Sequence, residues 1–237
     1  MISFSCPSRG RPKYAKRLVD TAQKTANNDV EILFYLNDDD PTLEEYKDLL
    51  DEKFYTVGQN QSTCFSWNQM AQKAKYDIVM LMGDDVQVKT NGWDNLIKEQ
   101  FDQYDDKILM VVPSDGRYKG TKELGNKVKL WGDRALPAAH FAVHKNWINT
   151  LGYLAPPFFW HWFVDSYTQK VARKINRCLF LPTVVFKAKK VFDKTGEQVR
   201  KHLNIRLRDN FVWDKVRGRH LTADVQLLKD FIKNYSR

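Results

Sequence analysis

The chain has 237 residues, 43% of them apolar, and a formal net charge of +9. That apolar content can fill a sizeable core in one large domain. No apolar run approaches the roughly 20 residues a membrane span needs, and the opening Met1-Ile2-Ser3-Phe4-Ser5 lacks the charged-then-apolar pattern of a signal peptide, so a soluble, cytoplasmic protein is expected. Cys6, Cys64 and Cys178 are far apart and odd in number, which argues against a disulfide framework or a thiolate zinc site and for buried thiols.

The charge is uneven. Ser166 to Arg237 holds 18 Lys+Arg and 6 Asp+Glu, a net of +12, whereas Met1 to Asp165 holds 20 and 23, a net of −3. Such asymmetry points the last third at a polyanion, although a solvated basic surface has the same composition.

Taken in order, Ile2 to Cys6 reads as a first strand running into the loop Pro7-Ser8-Arg9-Gly10-Arg11-Pro12. Lys13 to Ala26 reads as a helix stopped at Asn27-Asn28. Val30 to Leu36 is a second strand ending in the acidic turn Asn37-Asp38-Asp39-Asp40-Pro41. Thr42 to Glu52 is a short helix, with Thr42 and Glu45 spaced as a capping box. Phe54 to Val57 is a third strand and Cys64 to Lys75 a helix. Ile78 to Met82 is a short unbroken apolar run, the pattern of a strand buried on both faces. It reaches Gly83 and two adjacent carboxylates, Asp84 and Asp85. Strands alternating with helices imply a mostly parallel sheet, and ligands of such sheets bind at the carboxyl ends of the strands. Two acids there repel unless a cation or donors offset them, so a metal-bridged phosphate site and an ordinary turn both fit.

Further on, Asn91 to Tyr104 reads as a helix, Ile108 to Val112 as a buried strand, and Gly116 to Gly125 as a polar loop. Ala138 to Val143 is a strand and Lys145 to Leu151 a short helix. Gly152 to Asp165 has the highest aromatic density in the chain. Asp165 opens a helix over Ser166 to Lys174, and Cys178 to Phe186 is β-prone. The rest is basic with weak periodicity until a closing helix, Thr222 to Tyr235. The expected division is 1–186 as the main α/β domain and 187–237 as a basic extension packed on it.

This order resembles the GT-A fold of nucleotide-sugar glycosyltransferases, the family 2 type in particular. The resemblance rests on the loop from Cys6 to Pro12, the turn Asn37 to Asp40, the helix segment Ser66-Trp67-Asn68-Gln69-Met70, and Gly83-Asp84-Asp85 in the place of the Asp-x-Asp metal motif. A looser match runs from Leu151-Gly152-Tyr153 to Trp162-Phe163-Val164-Asp165. It implies an α/β, Rossmann-like sheet and a divalent metal, Mn²⁺ or Mg²⁺. It also implies a nucleoside-diphosphate sugar as donor, with a UDP-sugar first. Pro7, Arg9, Asn37, Asp38, Asp39, Asn68 and Asp84 would then face the nucleotide sugar. Asp85 would be the main metal ligand, with Asp84 a second and His202 a candidate third. Asp165 would be the base of an inverting transfer, its pKa raised by the aromatic surroundings; an N-cap role is the plain alternative. His161 is a rival base, while His140 and His144 are assigned to packing.

On the acceptor side, Trp160 and Trp162 stand with Lys189, Lys190, Arg206, Arg208, Arg217 and Arg219. Cations interleaved with aromatics are a nucleic-acid footprint, and the whole resembles bacteriophage enzymes that decorate hydroxymethylated bases in DNA. In that case the chain would work in the host cytoplasm. An anionic membrane surface with a polysaccharide or lipid-linked acceptor is the rival. A non-catalytic nucleic-acid-binding protein and a nucleotidyltransferase are further alternatives; clustered acids disfavour the first, and Arg9-Gly10-Arg11-Pro12-Lys13 fits the second in part.

Overall fold

The computed structural model describes residues 1–116, 138–188 and 203–235. Among them eight strands form one sheet: β1 (Ile2–Ser8), β2 (Val30–Asn37), β3 (Tyr55–Gly58), β4 (Ile78–Leu81), β5 (Val86–Val88), β6 (Met110–Ser114), β7 (Phe141–His144) and β8 (Cys178–Ala188). Their spatial order is β3-β2-β1-β4-β7-β6-β8-β5. The first four in that order run parallel, β7 runs against both neighbours, and β8 is parallel to β6 and antiparallel to β5. Helices α1 (Pro12–Thr25), α2 (Leu43–Leu49), α3 (Thr63–Lys73), α4 (Trp93–Asp102), α5 (Lys145–Leu151), α6 (Val164–Lys174), α7 (Leu203–Val216) and α8 (Arg219–Tyr235) accompany it. This is the mostly parallel α/β architecture expected from the alternating strands and helices.

Two cores follow from strands that alternate across a sheet. Ile2, Phe4 and Cys6 of β1 pack with Met80 of β4, with Leu18 and Val19 of α1, and with Trp93 of α4. Val79 and Leu81 point the other way, into Trp147, Phe159 and Tyr167. In α1, Pro12 sits in the first turn, where its missing N–H costs nothing, and Ala15, Leu18, Val19 and Ala22 form the buried stripe. The Thr42–Glu45 capping box is not made. Asp40 takes the role: its Oδ1 accepts from the Thr42 N–H and hydroxyl, both at 2.9 Å.

The last two helices belong to the second core, where Val216, Leu221, Val225 and Leu228 are buried. Asp224 of α8 accepts hydrogen bonds from Tyr153 and Tyr167. Helix α7 does not stand out in the sequence because charges fall on all its faces, and Asp209 and Val216 are the buried ones among its described side chains. Among the described residues no helix is long and apolar enough to cross a membrane. Cys6 and Cys64 are buried free thiols and Cys178 is half-buried.

Candidate active site

Parallel β1, β2 and β4 deliver their carboxyl ends to one rim. Beyond β4, Trp67 Nε1 donates to the Met82 carbonyl at 2.9 Å and fixes where the strand ends. Gly83 follows in a crowded place: a Cβ there would stand 3.0 Å from the Asp85 side-chain Oδ1 and 3.4 Å from His140 Cε1. His140 arrives because antiparallel β7 starts at this same rim, Leu81 pairing with Phe141. Its Nδ1 accepts from the Gly83 N–H at 3.3 Å. Assigned to packing from the sequence, His140 is buried and also borders the cleft described below. The direction of β7, invisible in its residue pattern, is what brings it there.

The two aspartates separate. Asp84 is fully buried. Its Oδ2 accepts from Ser8 Oγ at 2.5 Å and from Arg11 Nε at 3.1 Å, and Arg11 Nη2 lies 2.5 Å from Oδ1. The Ser8 hydroxyl stands 2.6 Å from Tyr46 Oη, which accepts the Arg11 N–H at 2.9 Å. With Ser8 donating to Asp84, Tyr46 donates to Ser8, so a ring closes in which Arg11 donates at both ends and Asp84 accepts at both. Burial and the neighbouring Asp84 charge push the Tyr46 phenol well above its ordinary pKa, which keeps it a donor. Asp84 is therefore buried behind Ser8 and Arg11 and is not among the residues that line the cleft. Asp85 is half-buried and lines the cleft.

That cleft has a volume of about 520 Å³. Its lining brings Arg11, Asp85 and His140 from the strand ends together with His161, Trp162, Phe163 and Asp165 from the aromatic segment and Arg206 from α7. Asp165 is in the first turn of α6, while the N-cap is Phe163, so the plain N-cap role is not the one it fills. Its Oδ1 accepts the Ser166 N–H at 2.7 Å. Phe163 adopts φ +68, uncommon for a bulky residue and of the kind that clusters at functional sites. His161 stacks on Trp67 with its Nδ1 3.1 Å from Thr63 Oγ1. Burial lowers its pKa, against the raising effect of Asp209 and Asp165, and Arg11 adds to the lowering.

The aromatic wall is held from the far end of the chain. Asp209 of α7, fully buried, accepts three consecutive backbone N–H groups at 2.9 Å each: Trp160 on Oδ1, His161 and Trp162 on Oδ2. Such a run of amides is a ready anion site, and here the chain fills it with its own carboxylate. Arg208 Nη1 also reaches Asp209 Oδ1 at 2.8 Å. Sequence reading missed Asp209 and Arg11 alike, because each acts through a partner distant in sequence.

The acidic turn lies beside the cleft on the same rim. Asp38 and Asp39 are exposed and Asn37 is buried. Arg9 pairs with Asp39, which also accepts from Asn60 at 3.0 Å; those bonds lower the Asp39 pKa. The Gly10 N–H reaches Asp40 Oδ2 at 2.8 Å, with Gly10 itself at φ +68. The loop thus bends so that Arg9 faces the turn and Arg11 the cleft. Pro7 is half-buried inside β1. Asn68, expected at the nucleotide, is bonded to the Leu154–Ala155 backbone: its Oδ1 accepts from Leu154 and Ala155 at 2.9 Å and its Nδ2 donates to the Ala155 carbonyl at 2.7 Å.

Of the basic candidates, Arg206 lies 5.2 Å over the Trp162 ring and Arg208 5.6 Å over that of Trp160. Arg217 is exposed and pairs with Asp214 at 3.4 Å, and Arg219 is exposed; neither lines the cleft. Lys189, Lys190 and His202 lie outside the described residues. Among the described residues no three metal-ligating side chains converge. A single carboxylate still fits Mg²⁺ or Mn²⁺, which are often bound by one or two carboxylates together with substrate phosphates, and Asp85 meets that requirement.

No protein-family model matches the chain, and no curated protein matches it. Solved structures do. The Pyrobaculum calidifontis mannosyltransferase PcManGT, in complex with GDP-Man and Mn²⁺, superposes with a TM-score of 0.62 at 13% identity, over 95% of this chain and 69% of that one. Residues 1–349 of S. aureus TarS, with UDP-GlcNAc, give 0.58 at 16% identity, over 81% of this chain. The same protein with UDP gives 0.57 at 14%, over 78%. This chain spans 59% of the length of those TarS chains. At such identities the likeness is one of fold, and the fold is that of GT-A-type glycosyltransferases.

Proposed function

We propose that this chain is a glycosyltransferase, moving a sugar from a nucleoside diphosphate to an acceptor hydroxyl. One observation carries the reading. Asp85 and Asp165 line the same cleft at the carboxyl-end rim of the sheet, in a fold shared with structures that hold UDP-GlcNAc, or GDP-Man with Mn²⁺.

Asp85 would hold the divalent cation, which when bound supplies Lewis-acid charge to the departing diphosphate. Asn37, Asp38, Asp39 and Arg9 receive the nucleoside on the neighbouring turn, where the Arg9 and Asn60 bonds keep Asp39 ionised. Asp165 takes the proton of the acceptor hydroxyl as its oxygen bonds to the anomeric carbon and the bond to phosphate breaks. A base placed so serves an inverting displacement. His161, kept neutral by burial, and Trp162 line the acceptor's path.

The acceptor we infer is a polyanion, a hydroxymethylated base in DNA first. Its support is the series of cations laid on aromatics that leads away from the cleft: Arg206 on Trp162, Arg208 on Trp160, and Lys215 on Phe211. A polysaccharide or lipid-linked acceptor at an anionic membrane surface is favoured by a different feature, the exposed Leu207 and Phe211 beside those cations. Calorimetric titration with a panel of UDP- and GDP-sugars, with and without Mn²⁺, tests the donor half. Binding that needs the metal and disappears in Asp85→Ala is expected; metal-independent binding of every sugar by that variant would overturn the assignment.

A further inference from the structure

We propose that Asp209 is a positioning residue for the transfer step: from the far end of the chain, its carboxylate fixes the backbone that carries His161, Trp162 and Asp165 to the cleft. The inference rests on the glycosyltransferase reading for the step that Asp209 serves.

Asp209 is fully buried in α7. A buried carboxylate is stable only where charged or hydrogen-bonding partners replace its water. Here the partners are backbone N–H groups and a guanidinium: Trp160 and Arg208 Nη1 on Oδ1, His161 and Trp162 on Oδ2. The same Arg208 Nη1 lies 3.3 Å from the Phe158 carbonyl, so α7 holds the segment by its donors and by an acceptor. The segment is also fixed on α3. The Cys64 N–H donates to the Trp160 carbonyl at 3.2 Å, and the His161 ring stacks on Trp67 with Nδ1 against Thr63 Oγ1. Directly after the three amides comes Phe163 at φ +68, the N-cap of α6, and Asp165 lies in the first turn of that helix. The uncommon backbone at Phe163 is thus entered from a held stretch, and that stretch sets where α6 begins. His161, Trp162 and Asp165 line the cleft and Asp209 does not, so Asp209 acts through them. A neutral amide would serve poorly in its place. It has one acceptor oxygen, and its own N–H groups would face at least one of the three donors.

The test compares the wild-type chain with Asp209→Asn and Asp209→Ala. It measures hydrogen exchange over residues 158–165, calorimetric affinity for UDP and GDP with Mn²⁺, and kcat and donor KM for transfer from UDP- and GDP-sugars to hydroxymethylated duplex DNA and to a polysaccharide. Asp209→Asn keeps the shape of the side chain and so folds even where Asp209→Ala does not. Its amides over 158–165 should exchange about tenfold to a hundredfold faster, the loss of one or two charge-assisted bonds. Its kcat should fall by about tenfold to a hundredfold, as when reacting groups are misplaced by about 1 Å, while donor KM and nucleotide affinity stay within about twofold. Sodium formate supplies a free carboxylate. It should raise kcat and slow the exchange in Asp209→Ala, and sodium chloride at equal ionic strength should do neither. Wild-type kcat in Asp209→Asn despite faster exchange would overturn the proposal. So would a loss of nucleotide affinity equal to the loss of kcat, the mark of a fold loosened throughout. A wild-type chain that transfers no sugar from any donor removes the glycosyltransferase reading and the step Asp209 serves, a result distinct from a loss confined to the variants.

Discussion

The two walls of the cleft are built in opposite ways. The wall we propose for the donor is made where strands end. β1, β2 and β4 lie side by side, and their loops meet through contacts within the first 85 residues: Arg11 on Asp84, Gly10 on Asp40, Arg9 on Asp39. The wall we propose for the acceptor is an aromatic segment with an uncommon backbone at Phe163, held by a carboxylate 47 to 49 residues further on. One wall follows from the sheet, and the other depends on a C-terminal helix docking back onto it. A fault in the first should strike donor binding. A fault in the second should spare donor binding and strike transfer.

The largest effect is expected at Asp85. Asp85→Ala should cut transfer by a factor of about a thousand or more, as loss of a preorganised charge at the leaving group does, and it should abolish metal-dependent donor binding in the same titration. Asp165→Asn should come next, with kcat reduced about 100- to 10,000-fold and donor affinity unchanged. Equal losses in both quantities would place Asp165 in the donor wall and break the distinction. Asp209→Ala should uncover three amides and release the aromatic segment. Removing one partner of a buried charged network costs on the order of 3 kcal/mol, so thermal unfolding should shift down clearly. Nucleotide affinity should stay within about twofold in the folded fraction, given that variants in separate regions act independently.

Smaller effects sharpen the acceptor side. If the acceptor is DNA, its affinity should fall steeply with salt, and Arg206→Ala and Arg208→Ala should each reduce the slope of log K against log[salt] by about one unit or less. An unchanged slope would detach α7 from a phosphate backbone. The smallest effect is one of pH. Burial places the folded-state pKa of His161 below its ordinary value of 6.5. As pH falls through the unfolded value, the unfolded chain takes up a proton that the folded chain refuses, so stability declines below about pH 6.5. His144 is lowered by burial as well and contributes in the same direction. His161→Gln should flatten part of that decline in a urea-unfolding series, and an unaltered profile would remove His161 from the account.

What the sequence disclosed follows the same division. The apolar run Ile78 to Met82, the alternating helices and the acidic turn were legible because a parallel sheet imposes local patterns: unbroken β-formers, then polar residues at each strand's end. The adjacent Asp84 and Asp85 were legible as a pair. Their opposite fates were not, since only the packing of Ser8, Tyr46 and Arg11 around one of them separates the two. His140 depended on strand direction, and Asn68 on which loop lay opposite its helix. Helix α7 has no apolar stripe to announce it, and Asp209 looks like one more charge in a basic stretch until three amides are found on it. Residues that work through a distant partner leave no periodicity and no spacing to read.

The central claim is that this cleft moves a sugar from a nucleotide onto an acceptor hydroxyl. It is tested most directly by intact-mass spectrometry of the acceptor. Hydroxymethylated duplex DNA and a polysaccharide would each be incubated with the wild-type chain, Mn²⁺ and a panel of UDP- and GDP-sugars, with Asp165→Asn in parallel. The expected result is a mass gain of one sugar residue per modified site, on DNA first, that is lost in Asp165→Asn. No mass gain on either acceptor with any donor, or an equal gain with the variant, would contradict the account.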